Sequence, residues 1–288
     1  MYNINRVIKK LTPHRSAAEL FKYFSDEKDC VFLDSSLVNG LGRYSIIGMR
    51  PYLKLVKDDH GFFINEQKVS ELSFEEYLKK YLSEHKDQNK SGLSMLSGAI
   101  GYFSYEYGRK LMEIPSHKEN LVTIPDAVLV FYDMYIIEDC HEKKTFLVAN
   151  GVTEDAEKLI ESVEKRLTEV LLEKEQVADG SFNIEITPNF KKEEYKQAVD
   201  EMIRYIIEGD IYITNMTQQL EVKSNKKPLD VFYDLRENNP SPFGGYMDYG
   251  DFQIVCASPE RFLKMKKGHV NTRPIKGTRK RGETLEED

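Results

Sequence analysis

The sequence predicts an α+β fold with largely antiparallel sheets, a β-sandwich-like core with flanking helices. Three observations carry this. Short runs of β-branched and aromatic residues outnumber the helical stripes. Glycine or polar turns separate consecutive runs, as hairpin connections require. The few helical stripes are scattered among the strands, without the regular strand–helix alternation of a parallel α/β sheet. With 40% hydrophobic and 31% charged residues over 288 positions, the chain can bury a core and fill one large or two moderate domains.

The elements follow in order. Residues 17–24 predict a short helix, and 31–33, 44–47 and 52–56 predict strands punctuated by Gly40, Gly42 and Gly48. Ser73 and Glu76 form a capping box for a helix with the stripe Phe74, Tyr77, Leu78, Tyr81 and Leu82. Residues 85–92 are a surface loop. Strands are expected over 99–105 and 127–137, the second central and joined by a polar turn to 145–150. A helix over 154–174 carries Leu159, Ile160, Val163 and Leu167. The polar, aperiodic stretch 173–183 marks a boundary, giving a first domain at 1–175, a linker at 176–190 and a second domain at 191–288. Tyr195, Val199, Met202, Ile203 and Ile206 recur at helical spacing up to Gly209, a helix stop. Residues 211–222 read as a strand, Pro228 opens a helix, and 243–247, 252–256 and 270–275 read as strands. Thr284 and Glu287 form a second capping box beside the last residue, so the second domain is expected to be incomplete. Its strands from 184 onward would then expose apolar surface and open edges.

Composition excludes several classes. A formal net charge of -7 gives no global electrostatic case for nucleic acid or an anionic membrane. Cys30, Cys140 and Cys256 are too few and too far apart for a zinc motif or a disulfide scaffold, and the six histidines never fall at metal-ligand spacing. No apolar run approaches a membrane span, and the first ten residues lack a signal-type apolar stretch, so a cytoplasmic location is expected.

Two segments carry chemistry. In Arg273-Pro274-Ile275-Lys276-Gly277-Thr278-Arg279-Lys280-Arg281, five of nine residues are basic, which suits a small polyanion as well as it suits a solvated turn. Neighbouring cations disfavour the ammonium form of Lys276, and a neutral amine is a nucleophile. Gly277 allows close backbone approach, and Thr278 adds a hydroxyl for an oxyanion or carboxylate. The second segment, Ser258-Pro259-Glu260-Arg261-Phe262, follows a strand. Its carboxylate could do acid–base work or simply pair with arginine.

Together, SPERF at 258–262 and TRPIKGTRKRG at 272–282 resemble the core of the chorismate-binding enzymes, which include anthranilate synthase component I and aminodeoxychorismate synthase component I. GDIYITNMTQQL at 209–220 and PSPFGGYMDYGDFQI at 240–254 resemble the family's preceding motifs. GRYSIIG at 42–48 and GAIGYFSYE at 98–106 resemble its N-terminal domain. The lysine of PIKGT, where anthranilate synthases usually have alanine, resembles the aminodeoxychorismate type.

The resemblance implies the rest. Lys276 would attack C2 of chorismate with loss of the C4 hydroxyl, Glu260 would be the general acid/base, and Gly277, Thr278 and Arg273 would bind substrate. Mg²⁺ would be the cofactor, with its ligands in a C-terminal part beyond this chain, and a glutamine amidotransferase subunit would supply ammonia. Ser35, Ser36, Arg43, Tyr44 and Ser45 would line a candidate tryptophan pocket. The sequence departs from the pattern at Ile213, where Gln is common, and at Gln219, where Arg is common. The alternatives are anthranilate synthase component I and a non-catalytic fragment that binds tryptophan or a partner.

Overall fold

The computed structural model describes residues 5–116, 122–170, 184–277, 280–284 and 286. The elements are β1 (Val7–Lys10), α1 (Ala17–Phe21), β2 (Val31–Asp34), β3 (Tyr44–Asp58), β4 (Gly61–Ile64), β5 (Gln67–Val69) and α2 (Phe74–Glu84). Next come β6 (Ala99–Phe103), α3 (Tyr105–Leu111), β7 (Ala127–Asp139), β8 (Lys144–Ala149) and α4 (Ala156–Val170). They are followed by β9 (Ile184–Pro188), α5 (Lys192–Glu208), β10 (Leu220–Ser224) and α6 (Pro228–Asn238). The last are β11 (Phe243–Asp248), β12 (Gln253–Ser258), β13 (Arg261–Lys266) and β14 (His269–Arg273). Every strand pair among the described residues is antiparallel, as the α+β reading expected.

The chain divides into two compact units, 1–174 with 228–288, and 175–227. In the first unit one sheet runs β1-β8-β7-β3-β2-β11-β12, with β4 and β5 added beside β3 and β6 beside β7. Residues 243–258, read from sequence as part of the second domain, thus lie in the sheet of the first unit, where β11 pairs with β2. The paired strands β3 and β7 are its spine. Their register shifts between Pro51 and Leu53, next to Arg50 at φ 56. Such a bulge bends a strand and changes its partners. Before it β3 pairs with β2, and after it with β4, while β7 changes from β6 to β8.

Strand alternation distributes the core. Phe32, Ile47, Met49, Met134, Ile136 and Tyr246 face one side, against Phe21 of α1, Leu159 and Val163 of α4 and Phe232 of α6. Their neighbours Val31, Ile46, Tyr135, Ile137 and Met247 face the other, with Ile100 and Val128 from the far end of the sheet. There Tyr102 of β6 meets Tyr249 of the β11–β12 turn at 5.9 Å between ring centroids, so the bent sheet folds over itself like a sandwich. Phe74 of α2 packs with Leu53, Leu55, Phe62 and Phe131 in a third cluster.

Several elements differ from the sequence reading. The strands expected at 44–47 and 52–56 are one strand. Gly48 does not break it, because the Tyr132 ring occupies the space over Gly48, where an added Cβ would lie 2.8 Å from ring Cδ2. Gly48→Ala is therefore expected to overpack this contact and destabilise the unit by about 1–3 kcal/mol, measured as a lower urea midpoint. An unchanged midpoint would mean that the ring moves freely. The strand expected over 99–105 stops at Phe103, because the Ser104 side chain accepts from the Tyr107 N–H and caps α3. The strand expected over 211–222 forms only from Leu220, where β9 supplies a ladder; β9 itself occupies part of the expected linker. The strand expected over 270–275 ends at Arg273, before Pro274, which has no N–H to donate. Helix α1 stops at Phe21, short of 24. The Ser73–Glu76 capping box, the Gly209 stop in the left-handed conformation and the Pro228 start form as expected. Residues 171–183 and Glu287 lie outside the described residues.

Candidate active site

The hairpin β13–β14 joins the two chemistry-bearing segments. Arg261 stands directly across from Arg273, so Ser258–Arg261 enters and Arg273–Gly277 leaves at the same open end. Like charges in register repel unless each has other company or an anion lies between them. Arg261 lies over the Phe243 ring, 5.4 Å from its centroid, and donates to Asn271 Oδ1 at 3.3 Å. Glu260, Arg273, Lys276 and Gly277 are exposed, and no hydrogen bond or ion pair among the described residues joins the three charged side chains. Thr278 lies outside the described residues. The arrangement presents a carboxylate, a guanidinium and an amine on one exposed edge, which suits an anionic substrate reached from solvent.

In the Ser35 to Ser45 cluster, Ser35 and Ser45 are buried, Ser36 and Tyr44 are half-buried and Arg43 is exposed. Ser35 Oγ lies 2.8 Å from the Tyr44 carbonyl and 3.2 Å from the Pro242 carbonyl, with its one proton to donate to either, and its N–H donates to Ser45 Oγ. Ser36 Oγ donates to the Ser241 carbonyl at 3.2 Å and accepts from the Ser241 N–H at 2.8 Å. These hydroxyls tie residues 241–242 onto the end of β2. Gly42 closes the same contact, since an added Cβ would lie 2.3 Å from the Leu37 carbonyl oxygen. Arg43 grips Asp139 with Nη2 at 2.6 Å from Oδ2 and stacks over Tyr44. Burial raises the Asp139 carboxyl pKa, but the Arg43 hydrogen bond and backbone N–H groups outweigh it and leave the pKa below the usual carboxylate value.

The sequence missed the partners of this cluster. Arg236 of α6 donates from Nε to Asp34 Oδ2 at 2.8 Å, and Ser45 Oγ donates to Asp34 Oδ1 at 3.3 Å. Ser241 is buried, and among the described residues its Oγ has no hydrogen-bond partner. Buried hydroxyls are nearly always paired, so this one is suited to a water or a ligand as its partner. The one available signal was PSPFGG, which had no link to Ser35 until the fold brought them together.

Burial raises the Asp34 pKa, and the Arg236 guanidinium only partly offsets this. A carboxylate whose folded pKa is raised binds protons more readily in the native state. Its contribution is fully present below the unfolded value and is lost as pH rises through the folded value. Relative to Asp34→Asn, the native sequence is thus expected to gain stability as pH falls from neutral towards 4, read by urea unfolding. A constant difference across that range would show that the Asp34 pKa is not raised.

The sequence profile of the chorismate binding enzyme family matches residues 29–288. The chain belongs to the chorismate binding enzyme family. It is 32% identical to anthranilate synthase component 1 of Acetivibrio thermocellus, over 93% of this chain and 58% of that protein. It is also 32% identical to aminodeoxychorismate synthase component 1 of Bacillus subtilis (strain 168), over 86% of this chain and 54% of that protein. The crystal structure of anthranilate synthase component I from Streptococcus pneumoniae TIGR4 superposes with a TM-score of 0.69 at 25% identity, over 81% of this chain and 54% of that one. The chain therefore spans little more than half the length of these family members. Among the described residues no three His, Cys, Asp or Glu side chains gather as a metal site, so these residues do not by themselves make a place for the Mg²⁺ that the family resemblance implied. No helix among the described residues is long and apolar enough to cross a membrane.

Proposed function

We propose that this family member converts chorismate and ammonia to 4-amino-4-deoxychorismate and water. The observation that carries this reading is Lys276 of PIKGT, on the same open hairpin end as Glu260. In the first step the neutral Lys276 amine forms a bond to C2, the ring double bonds shift, and the C4–O bond breaks. Glu260 gives its proton to the departing hydroxide, which leaves as water. In the second step ammonia bonds to C4, the double bonds shift back and the C2–N bond to Lys276 breaks, regenerating the amine, while the new C4 ammonium returns a proton to Glu260. Two displacements at activated positions replace one difficult substitution. Arg273, Gly277 and Thr278 are assigned to the substrate carboxylates, and a glutamine amidotransferase subunit to ammonia supply. Ser35, Ser36, Arg43, Tyr44 and Ser45 are assigned to a tryptophan pocket, and the unpartnered Ser241 hydroxyl beside Ser36 supports the assignment.

The second reading, anthranilate synthase, is favoured by the relative that matches the larger share of this chain. Product identity separates them. The chain joined by a flexible linker to the unmatched segment of the Bacillus subtilis relative is given chorismate, ammonium and Mg²⁺, and the products are separated by chromatography. Aminodeoxychorismate supports the reading, and anthranilate overturns it.

A further inference from the structure

A cavity of about 240 Å³ lies beside helix α2 and shares no lining residue with either region described above. Drug-sized ligand pockets run to roughly 300–1,000 Å³, so this one suits a single ring with a short arm. Four separate stretches of the first unit close it: the C-terminal end of α2, the bulge of β3, the segment before β6 and the segment after β8. Tyr52 in its wall and Ser45 of the Ser35 cluster both lie on β3, roughly 20 Å apart along the strand.

One wall is aromatic. Phe131 of β7 is buried and meets the Tyr81 ring edge to face, 4.8 Å between centroids. Tyr81 stacks on His85 at 3.9 Å, and its hydroxyl lies 3.2 Å from that of Tyr52. The bulge brings Tyr52 here, because Arg50 at φ 56 and the register shift between Pro51 and Leu53 turn the strand at this residue. The faces of such rings carry negative charge density and attract an ammonium.

The other wall offers acceptors. Asp87 accepts from Arg6, from Ser97 Oγ at 3.3 Å and from the Gln88 backbone. A carboxylate has about four lone-pair sites, so one more donor fits. Arg6 is itself fixed, donating from Nε to Oδ1 of the buried Asn150 at 2.7 Å, so Asp87 is held in place before any ligand arrives. Burial raises the Asp87 pKa, but the Arg6 hydrogen bond and charge outweigh it and keep the carboxyl ionised at neutral pH. Helix α2 ends at the cavity with no basic residue in its last turn to offset the negative end of its dipole. Lys86 also lines the cavity, but it is exposed and keeps its ammonium in water.

We propose that this cavity is a second small-molecule site, which takes an organic ammonium carrying one aromatic ring. The ring packs among Tyr52, Tyr81 and Phe131, and the ammonium reaches Asp87. A carboxylate on the same ring would meet the Asp87 charge and the helix end instead. The inference is independent of which product the enzyme makes.

The test titrates the full chain with phenethylamine, which is protonated at neutral pH, and follows the backbone amide signals by NMR. Saturable shifts at Gly98, Asn150 and Val152 are expected, with a Kd of about 1 mM or tighter for so small a ligand. Phenylpropionate, of similar shape and opposite charge, should bind about tenfold more weakly or worse, and Asp87→Asn should weaken the amine by about the same factor. Val152→Phe and Leu82→Phe each fill the cavity and should remove the saturable shifts. These side chains are 37% and 49% exposed, so both variants should keep the parent's unfolding midpoint. The absence of saturable shifts in the parent would overturn the proposal, as would shifts confined to the Ser35 and Ser241 region. Equal binding of the carboxylate, or amine binding indifferent to Asp87→Asn or to both filling variants, would overturn it too.

Discussion

Lys276→Ala is expected to abolish aminodeoxychorismate formation in the joined protein, because no other group in the PIKGT segment supplies a nucleophilic amine. A structural role is not at stake. Lys276 is exposed and lies beyond the end of β14, so the variant should unfold at the same midpoint as its parent. Trapping strengthens the test. Rapid quenching with chorismate but without ammonium should show the mass of a covalent adduct on the parent and none on the variant. Glu260→Gln should form that adduct about 10²–10⁴-fold more slowly, the usual contribution of a positioned proton donor. Full activity in Lys276→Ala would remove the covalent mechanism and with it the reason for choosing this product over anthranilate.

Phe232→Ala is expected to destabilise the whole first unit by about 3–5 kcal/mol, the usual cost of emptying a buried phenylalanine site. Phe232 is fully buried, with its ring 5.7 Å from Phe32 of β2 and 5.8 Å from Tyr246 of β11. It packs a helix that begins at residue 228 onto strands from both ends of the sequence. The loss should appear in a single cooperative urea transition, with amide exchange in β2 and β7 accelerated along with that in α6. Acceleration confined to 228–258 would mean that this segment folds separately from residues 1–170.

The two site regions were legible to different degrees. Glu260 and Lys276 were singled out by residue type, their roles came from the resemblance of SPERF and PIKGT, and the hairpin brings the two segments to one end. The Arg261 to Arg273 register needs the intervening turn at Lys267 and Gly268, both at positive φ. The Ser35 cluster was half legible. Its local residues were found, but Arg236, Ser241 and Pro242 are some 200 positions away, and no periodicity links them to β2. Helix α3 was missed although Ser104 at its cap, Glu106 in its first turn and Arg109 and Lys110 in its last follow ordinary helix rules. The aromatic residues around it read as strand.

By itself the sequence determined the alternation that sends Phe32 and Val31, or Ile136 and Ile137, to opposite faces, together with the helix caps and the α+β class. These follow from rules that act over a few residues: side-chain period, cap chemistry and backbone sterics. Only the tertiary structure decided that Gly48 lies within a strand, that the sheet of the first unit recruits residues 243–258, and that the Ser241 hydroxyl is buried beside Ser36. Each of those outcomes depends on which distant surface covers which face. Burial is not directional, so local sequence leaves that choice open.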